Sequence, residues 1–244
     1  MDPLAELRSW WKVPCIAHFC SLFRGVLFEQ SDLDIEDLEE ALLQAVSPGD
    51  SPVILDLLCS LLEGIYGREK LTVVDYDKYL KDIFRYQHAM GNIKRNPLVD
   101  KTYFELSLRQ KVDVLHDLCD FRLESEDVME VLKGHDGDNM RVEPLGHDVN
   151  GITYWYFYGT RLYQEDPPPK EPEEEKSKAK IVPSRWHMVC CTLEDWQNLA
   201  EFFKESEVKC EKALYRTIVE DFLPEIPNIV AERVSSILYW QIQS

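Results

Sequence analysis

The chain is poor in positive charge and lacks the short motifs that carry most enzyme chemistry. Lysine and arginine number 27 against 45 acidic residues, a formal charge of −18, so the field of the whole molecule repels phosphate backbones and disfavours direct nucleic-acid binding. No GxGxxG, GxxxxGK[ST], GxSxG or HExxH occurs, and the phosphate cradle, the nucleophile elbow and the metalloprotease helix lose their sequence support. There is no CxxC pair. The cysteines, at 15, 20, 59, 119, 190, 191 and 210, are odd in number in a chain too large to need disulfide staples, which points to a reducing compartment. No apolar run approaches the roughly 20 residues of a bilayer crossing, and the opening MDPLAELRSWW lacks the basic-then-apolar build of a signal peptide. Neither a membrane, a small-molecule substrate nor a cofactor is expected. Among the scattered histidines the nearest approach to a metal signature is His116-x2-Cys119, which has no second ligand set, so no metal is expected either.

What the chain does have is periodicity. Ile16, Phe19, Cys20, Phe23 and Leu27 recur at helical spacing behind Pro14, followed by Ile35, Leu38, Leu42 and Val46 before the stop Ser47-Pro48-Gly49. Ser51 reads as an N-cap with Pro52 at the first helical position, and Ile54, Leu57, Leu58, Leu61 and Ile65 form the third stripe. These three helices, joined by short connections, predict a bundle over 13–68. Connecting helices are expected over 72–134, through Tyr76, Tyr79, Leu80 and Ile83, then Leu108, Val112, Leu115 and Cys119, then a short helix capped by Ser125 and closed by a left-handed Gly134.

After Arg141 the period changes to two. Asn150-Gly151 is a strong signal for a type I′ hairpin turn, and it precedes the ribbon YWYFY. Alternation puts Ile152, Tyr154, Tyr156 and Tyr158 on one face and Thr153, Trp155 and Phe157 on the other. A second turn at Gly159-Thr160 leads to a strand around Leu162, and 185–190 supplies a third, giving a small antiparallel sheet. The Pro/Glu-rich stretch over 165–183 has no periodic apolar residue and predicts a mobile loop. This segment, 140–205, closes with the capping box T-L-E-D at Thr192; C-terminal helices follow over 206–240. The fold class is mostly α, of the α+β type.

Two features could bind a partner. Seven carboxylates and no basic residue fall between Glu29 and Glu40; Glu36, Asp37 and Glu40 on the second helix form either a solvated face or a docking face for a basic protein. The aromatic ribbon admits three readings. Stacking on single-stranded nucleic acid lacks the basic residues it needs. A methyl-lysine cage needs rings converging from separate elements, which one strand cannot supply. In the third, Tyr154, Trp155 and Phe157 are structural, with Trp155 and Phe157 anchoring the sheet onto helices and the tyrosine face at the rim.

GHDVNGITYWYF, with Gly146, Asp148, Gly151, Tyr154 and Trp155 in place, resembles the G-x-D-x-x-G-x-x-Y-W signature of the second WHIM motif. LSLRQKVDVLHDLCDFRLESEDVMEVLKG resembles the first WHIM motif, and 13–68 resembles a DDT domain. The likeness extends through ELRSWWKVPCIAHFCSLFR and RVEPLGHDVNGITYWYFYGTRLYQED to DDT/WHIM chromatin-remodelling subunits. It implies a nuclear, non-catalytic regulatory subunit that binds an ISWI-family ATPase and meets nucleosomes through the complex. The resemblance makes Asp148 the contact to a basic position on the ATPase, with Gly146 allowing close approach, Asn150 and Gly151 holding the carboxylate outward, and Glu36, Asp37 and Glu40 steering. The alternative is a module contacting linker DNA and gauging nucleosome spacing. The segment SSILYWQIQS has no counterpart in the family, so the expectation is a short isoform without the bromodomain, a fragment or an incomplete gene model, and acetyl-lysine reading does not carry over.

Overall fold

The structure, a computed structural model, describes residues 2–27, 33–67, 71, 74–134, 142–157, 159–167 and 184–243, with the backbone alone for 235–243. Tyr158, the start of the acidic run at 28–32 and residues 168–183 of the expected loop lie outside the described residues. The chain divides into two compact units, residues 1–7 with 11–141 and residues 8–10 with 142–244.

The first unit is helical: α1 (Pro3–Leu7), α2 (Lys12–Leu22), α3 (Arg24–Leu27), α4 (Ile35–Gln44), α5 (Pro52–Tyr66), α6 (Tyr76–Ala89), a 3-10 turn at Tyr103–Glu105, α7 (Leu108–Arg122) and α8 (Glu126–Lys133). The expected stripes are its core, with Ile16, Cys20, Leu38, Leu42, Ile54, Leu57, Leu61, Val112 and Leu115 buried. The run expected as one helix from Ile16 to Leu27 breaks at Phe23 into α2 and α3. Val46 lies beyond the end of α4 and is 74% exposed rather than part of the stripe. Ser51 does not cap α5 with its side chain; its hydroxyl donates to the Ala41 carbonyl at 3.0 Å, tying α5 to α4. Gly134 has φ −84°, so the expected left-handed cap on α8 is absent, whereas Gly67 after α5 does adopt it, at φ 61°.

Two buried cations pin this unit together. Lys111 of α7 donates its ammonium to the Ala45 carbonyl just past α4, and desolvation lowers its pKa. Arg122, at the end of α7, gives its guanidinium to both carboxylate oxygens of Asp127 in the first turn of α8.

The second unit is a four-stranded antiparallel sheet with helices. β1 (Pro144–His147), β2 (Thr153–Tyr156), β3 (Leu162–Asp166) and β4 (Arg185–Cys190) lie in sequence order. In register, Tyr154 faces Gln164, Trp155 faces Tyr163, and Glu165 faces Trp186. Then come α9 (Leu193–Lys204), α10 (Lys209–Thr217), a π-helical turn at Ile218–Phe222 and α11 (Ile226–Gln243). The capping box at the start of α9 forms as expected, with Thr192 and Asp195 exchanging side-chain and backbone bonds. Trp196 of α9 is fully buried, stacks on Phe222 at 5.1 Å and 6°, and donates its indole N–H to the Thr160 carbonyl at 2.9 Å. Among the described residues the fold is mostly helical with one small antiparallel sheet, as the periodicity predicts.

Candidate partner-binding site

The alternation expected for the ribbon is present, but the faces are used in the opposite sense. Tyr154 is 4% exposed and meets the Phe203 ring edge-on at 5.7 Å. Tyr156 packs on Trp196 and Phe222 and donates its hydroxyl to the Gly159 carbonyl at 2.9 Å. The tyrosine face therefore seals the sheet against α9 and the π turn. Trp155 and Phe157, expected as the anchors to the helices, are half-buried on the other face beside Tyr163 and Trp186. A tyrosine can bury its ring and still satisfy its hydroxyl at a rim carbonyl, which is why the polar-looking face can be the inner one.

The β1–β2 connection also differs from expectation. No described residue other than glycine has positive φ, so Asn150 is not in the conformation a type I′ turn demands. Instead the Gly151 amide bonds the Asp148 carbonyl at 3.1 Å and the Asp148 amide bonds the Ile152 carbonyl at 3.0 Å, with Gly151 at φ 82°. This is a three-residue loop, 149–151, whose last position requires glycine.

Asp148 builds that loop. Its Oδ1 accepts from the amides of Asn150 at 2.8 Å and Ile152 at 2.9 Å, and Oδ2 accepts from the Asn150 side chain at 3.3 Å. The residue is 6% exposed, so its carboxylate is turned into the loop rather than held outward as expected. Gly146 lies in β1 against α10: a Cβ there would sit 3.6 Å from Leu214 Cδ1, an ordinary contact. Its close neighbour is thus a helix of its own unit. Tyr154 senses the same environment, because burial and then the Asp148 charge push its phenol up to about 12.

A residue that periodicity could not single out completes the arrangement. Glu211 of α10 accepts from the Val149 amide at 3.0 Å and from the Ser206 hydroxyl, and these two bonds, Ser206 first, hold its pKa below the ordinary value. It clips the loop to the helix. What stands exposed at the loop is Val149, at 64%, with Asn150 and Gly151.

Glu36, Asp37 and Glu40 lie on α4 in the first unit, whereas Gly146 and Asp148 lie in the second. Asp37 and Glu40 are exposed, Glu36 is half-buried, and Glu40 accepts from Gln44 at 2.8 Å.

Elsewhere in the chain, desolvation pushes the thiols of Cys15, Cys20 and Cys190 up to about 12, away from thiolate character. Among the described residues, His116, Asp117 and Asp120 on α7 bring ligand atoms within 4.8 Å of one another, a trio that the His116-x2-Cys119 spacing does not reveal. The Lys12 ammonium, 2.9 Å from Asp113 and 3.9 Å from Asp117, already supplies a cation to that helix face.

Comparison with known proteins adds the following. Residues 95–132 match the WHIM1 family model, described as motif 1 of WSTF, Itc1p and MBD9 among others. The chain is similar to the DDT domain-containing protein DDR4 of Arabidopsis thaliana, 27% identical over 92% of this chain and 32% of that protein. It is also similar to Remodeling and spacing factor 1 of Homo sapiens, 27% identical over 63% of this chain and 11% of that protein. The chain thus spans a third or less of the length of these relatives. No solved structure matches. The chain therefore carries a segment that matches WHIM1 and is similar to one relative named for a DDT domain and one named for remodelling and spacing.

Proposed function

We propose that the chain is a non-catalytic regulatory subunit of an ISWI-type ATP-dependent chromatin-remodelling complex, working in the nucleus and binding the ATPase through its DDT/WHIM region. The observation that carries this reading is the match of residues 95–132 to WHIM1, joined by the second-motif signature in the other unit and by a relative named for remodelling and spacing. As part of the same reading, the opening segment and the segment around the ribbon liken the chain to the cat eye syndrome chromosome region candidate protein. Among the described residues no helix is long and apolar enough to cross a membrane.

The docking element in this reading is the 148–151 loop, with Asp148 in the partner-binding role and Gly146 shaping its approach. Asp148 acts through its Oδ2, which among the described residues accepts one bond, from the Asn150 side chain at 3.3 Å, and Glu36, Asp37 and Glu40 add negative charge that steers a basic partner. Affinity purification from nuclear extract followed by mass spectrometry tests the reading as a whole, and recovery without any ISWI-type ATPase overturns it. Asp148→Asn tests the residue: it keeps an acceptor for the loop amides but removes the charge. Co-purification at the parental level removes Asp148 from the interface while leaving the adaptor reading intact.

A contact to linker DNA draws on one observation. From Ile83 to Val99 the chain has Arg85, Lys94 and Arg95, all exposed, and no carboxylate. A steep loss of DNA affinity with salt, reduced in slope by Lys94→Ala and Arg95→Ala, is its signature.

A further inference from the structure

The sheet face turned away from α9 carries aromatic rings from three strands of the second unit. Trp155 comes from β2 and Phe157 from just after it, Tyr163 from β3 and Trp186 from β4. Trp155 and Trp186 lie 5.8 Å apart at 34°, Phe157 and Trp186 6.3 Å apart at 52°, and Phe157 meets Tyr163 edge-on at 6.0 Å. Tyr163 is fully buried; the other three rings are half-buried and keep part of their surface in solvent. The convergence that one strand cannot provide is supplied by three.

A carboxylate completes the group. Glu165 shares this face in register with Trp186, and its Oε2 accepts the Trp155 indole N–H at 3.0 Å. That bond fixes the ring before any ligand arrives, so little ordering entropy is left to lose on binding. The remaining Oε1 adds negative charge at the edge of the rings. Arg161, two residues before Tyr163 and just ahead of β3, is buried and directs its guanidinium to the Met188 sulfur, 2.9 Å away.

We infer that the Trp155, Trp186 and Phe157 platform, with Glu165 at its edge, is a binding site for the methylated ammonium group of a lysine side chain on a basic protein segment. A cation resting over the junction of Trp155 and Trp186 lies within about 6 Å of both centroids, the range in which the ring quadrupole attracts it. Methylation suits the site because an unmodified ammonium is strongly hydrated, while the platform presents ring faces and only one carboxylate to replace that water. The chain's charge of −18 favours a basic segment as the carrier. This site goes beyond the ATPase-binding reading and does not depend on it.

The test uses the full chain and an acetylated Arg-Gly-Lys-Gly-Arg amide in three forms: lysine trimethylated, lysine unmodified, and lysine replaced by its neutral tert-butyl carbon isostere. Binding is read from the indole N–H signals of Trp155 and Trp186. The trimethylated peptide shifts both signals saturably and binds about tenfold more tightly than the neutral isostere, which has the same shape without the charge. Trp186→Leu, which keeps apolar bulk but removes the π face, weakens binding to a similar degree. Glu165→Gln, which keeps an acceptor for Trp155, weakens it less, and ATPase co-purification stays the same in both variants. Equal binding of the neutral isostere, equal binding of unmodified lysine, or no saturable shift at these indoles overturns the inference. Because the isostere comparison is made on the unsubstituted chain, it decides the matter even if Trp186→Leu fails to fold.

Discussion

The guanidinium of Arg122 occupies the space that a side chain at Gly64 would need: a Cβ built on Gly64 falls 1.8 Å from Arg122 Cζ. Gly64 lies inside α5, where exchange for alanine normally stabilises a helix by about 1 kcal/mol. Here the sign reverses. The guanidinium, 1% exposed, must leave both its place over α5 and its bonds to Asp127, and a buried cation parted from its partner costs about 3–5 kcal/mol. Gly64→Ala therefore lowers stability by about 2–4 kcal/mol in a urea melt, and a stabilised variant would contradict the packing described.

The same pair makes a pH prediction. The hydrogen bond from Arg122 holds the Asp127 carboxyl below the ordinary aspartate range. A carboxylate with a depressed folded pKa contributes stability that is fully present above the unfolded value and is lost as pH falls through the folded one. The stability difference between the parent and Asp127→Asn is thus constant at neutral pH and shrinks below about pH 4. Asp127 is partly exposed, so solvent limits the size of the effect, but not its direction. Parallel curves down to pH 2 would remove the ion pair as its source.

Asp148 separates structure from charge. Asp148→Ala removes the acceptor of the Asn150 and Ile152 amides and costs about 1–3 kcal/mol, whereas Asp148→Asn costs less. Glu211→Ala frees the Val149 amide from its clamp on α10, and amide hydrogen exchange at Val149 speeds up while the amides of β2 and β3 keep their protection.

Tyr154 and Trp155, adjacent in sequence, differ in what their removal costs. Tyr154→Ala opens a cavity against Phe203 in the core and costs about 3–5 kcal/mol. Trp155→Ala, despite deleting the larger ring, costs less because the ring is half-buried. Thermal melts that rank the two the other way would place the inner face on the wrong side.

The helical stripes of the first unit could be read in advance because each is a local pattern of apolar residues at fixed spacing. The same holds for the capping box at Thr192, and Ser107 with Gln110, which caps α7 the same way, carried an equally legible signal in S-L-R-Q. The ribbon shows where local reading ends. Period two sorts its residues into two faces, but the inner face is chosen by Trp196, Phe203 and Phe222, all 38 residues or more beyond the ribbon. The loop illustrates a second limit. Asn-Gly favours a two-residue turn until an aspartate two positions earlier offers its carboxylate to the amides of Asn150 and Ile152, and that competition selects the longer loop. The partners of Arg122 were illegible for a simpler reason: a glycine 58 positions earlier leaves no trace in periodicity.

The clip from Glu211 and the contact of Leu214 with Gly146 mean that the second motif is not a portable cassette. A fragment cut at 205 would retain every letter of GHDVNGITYWYF yet lose the struts that give the hairpin its posture, as well as the Phe222 ring that backs Tyr156. Transplanting the motif into another protein requires the downstream helix to travel with it.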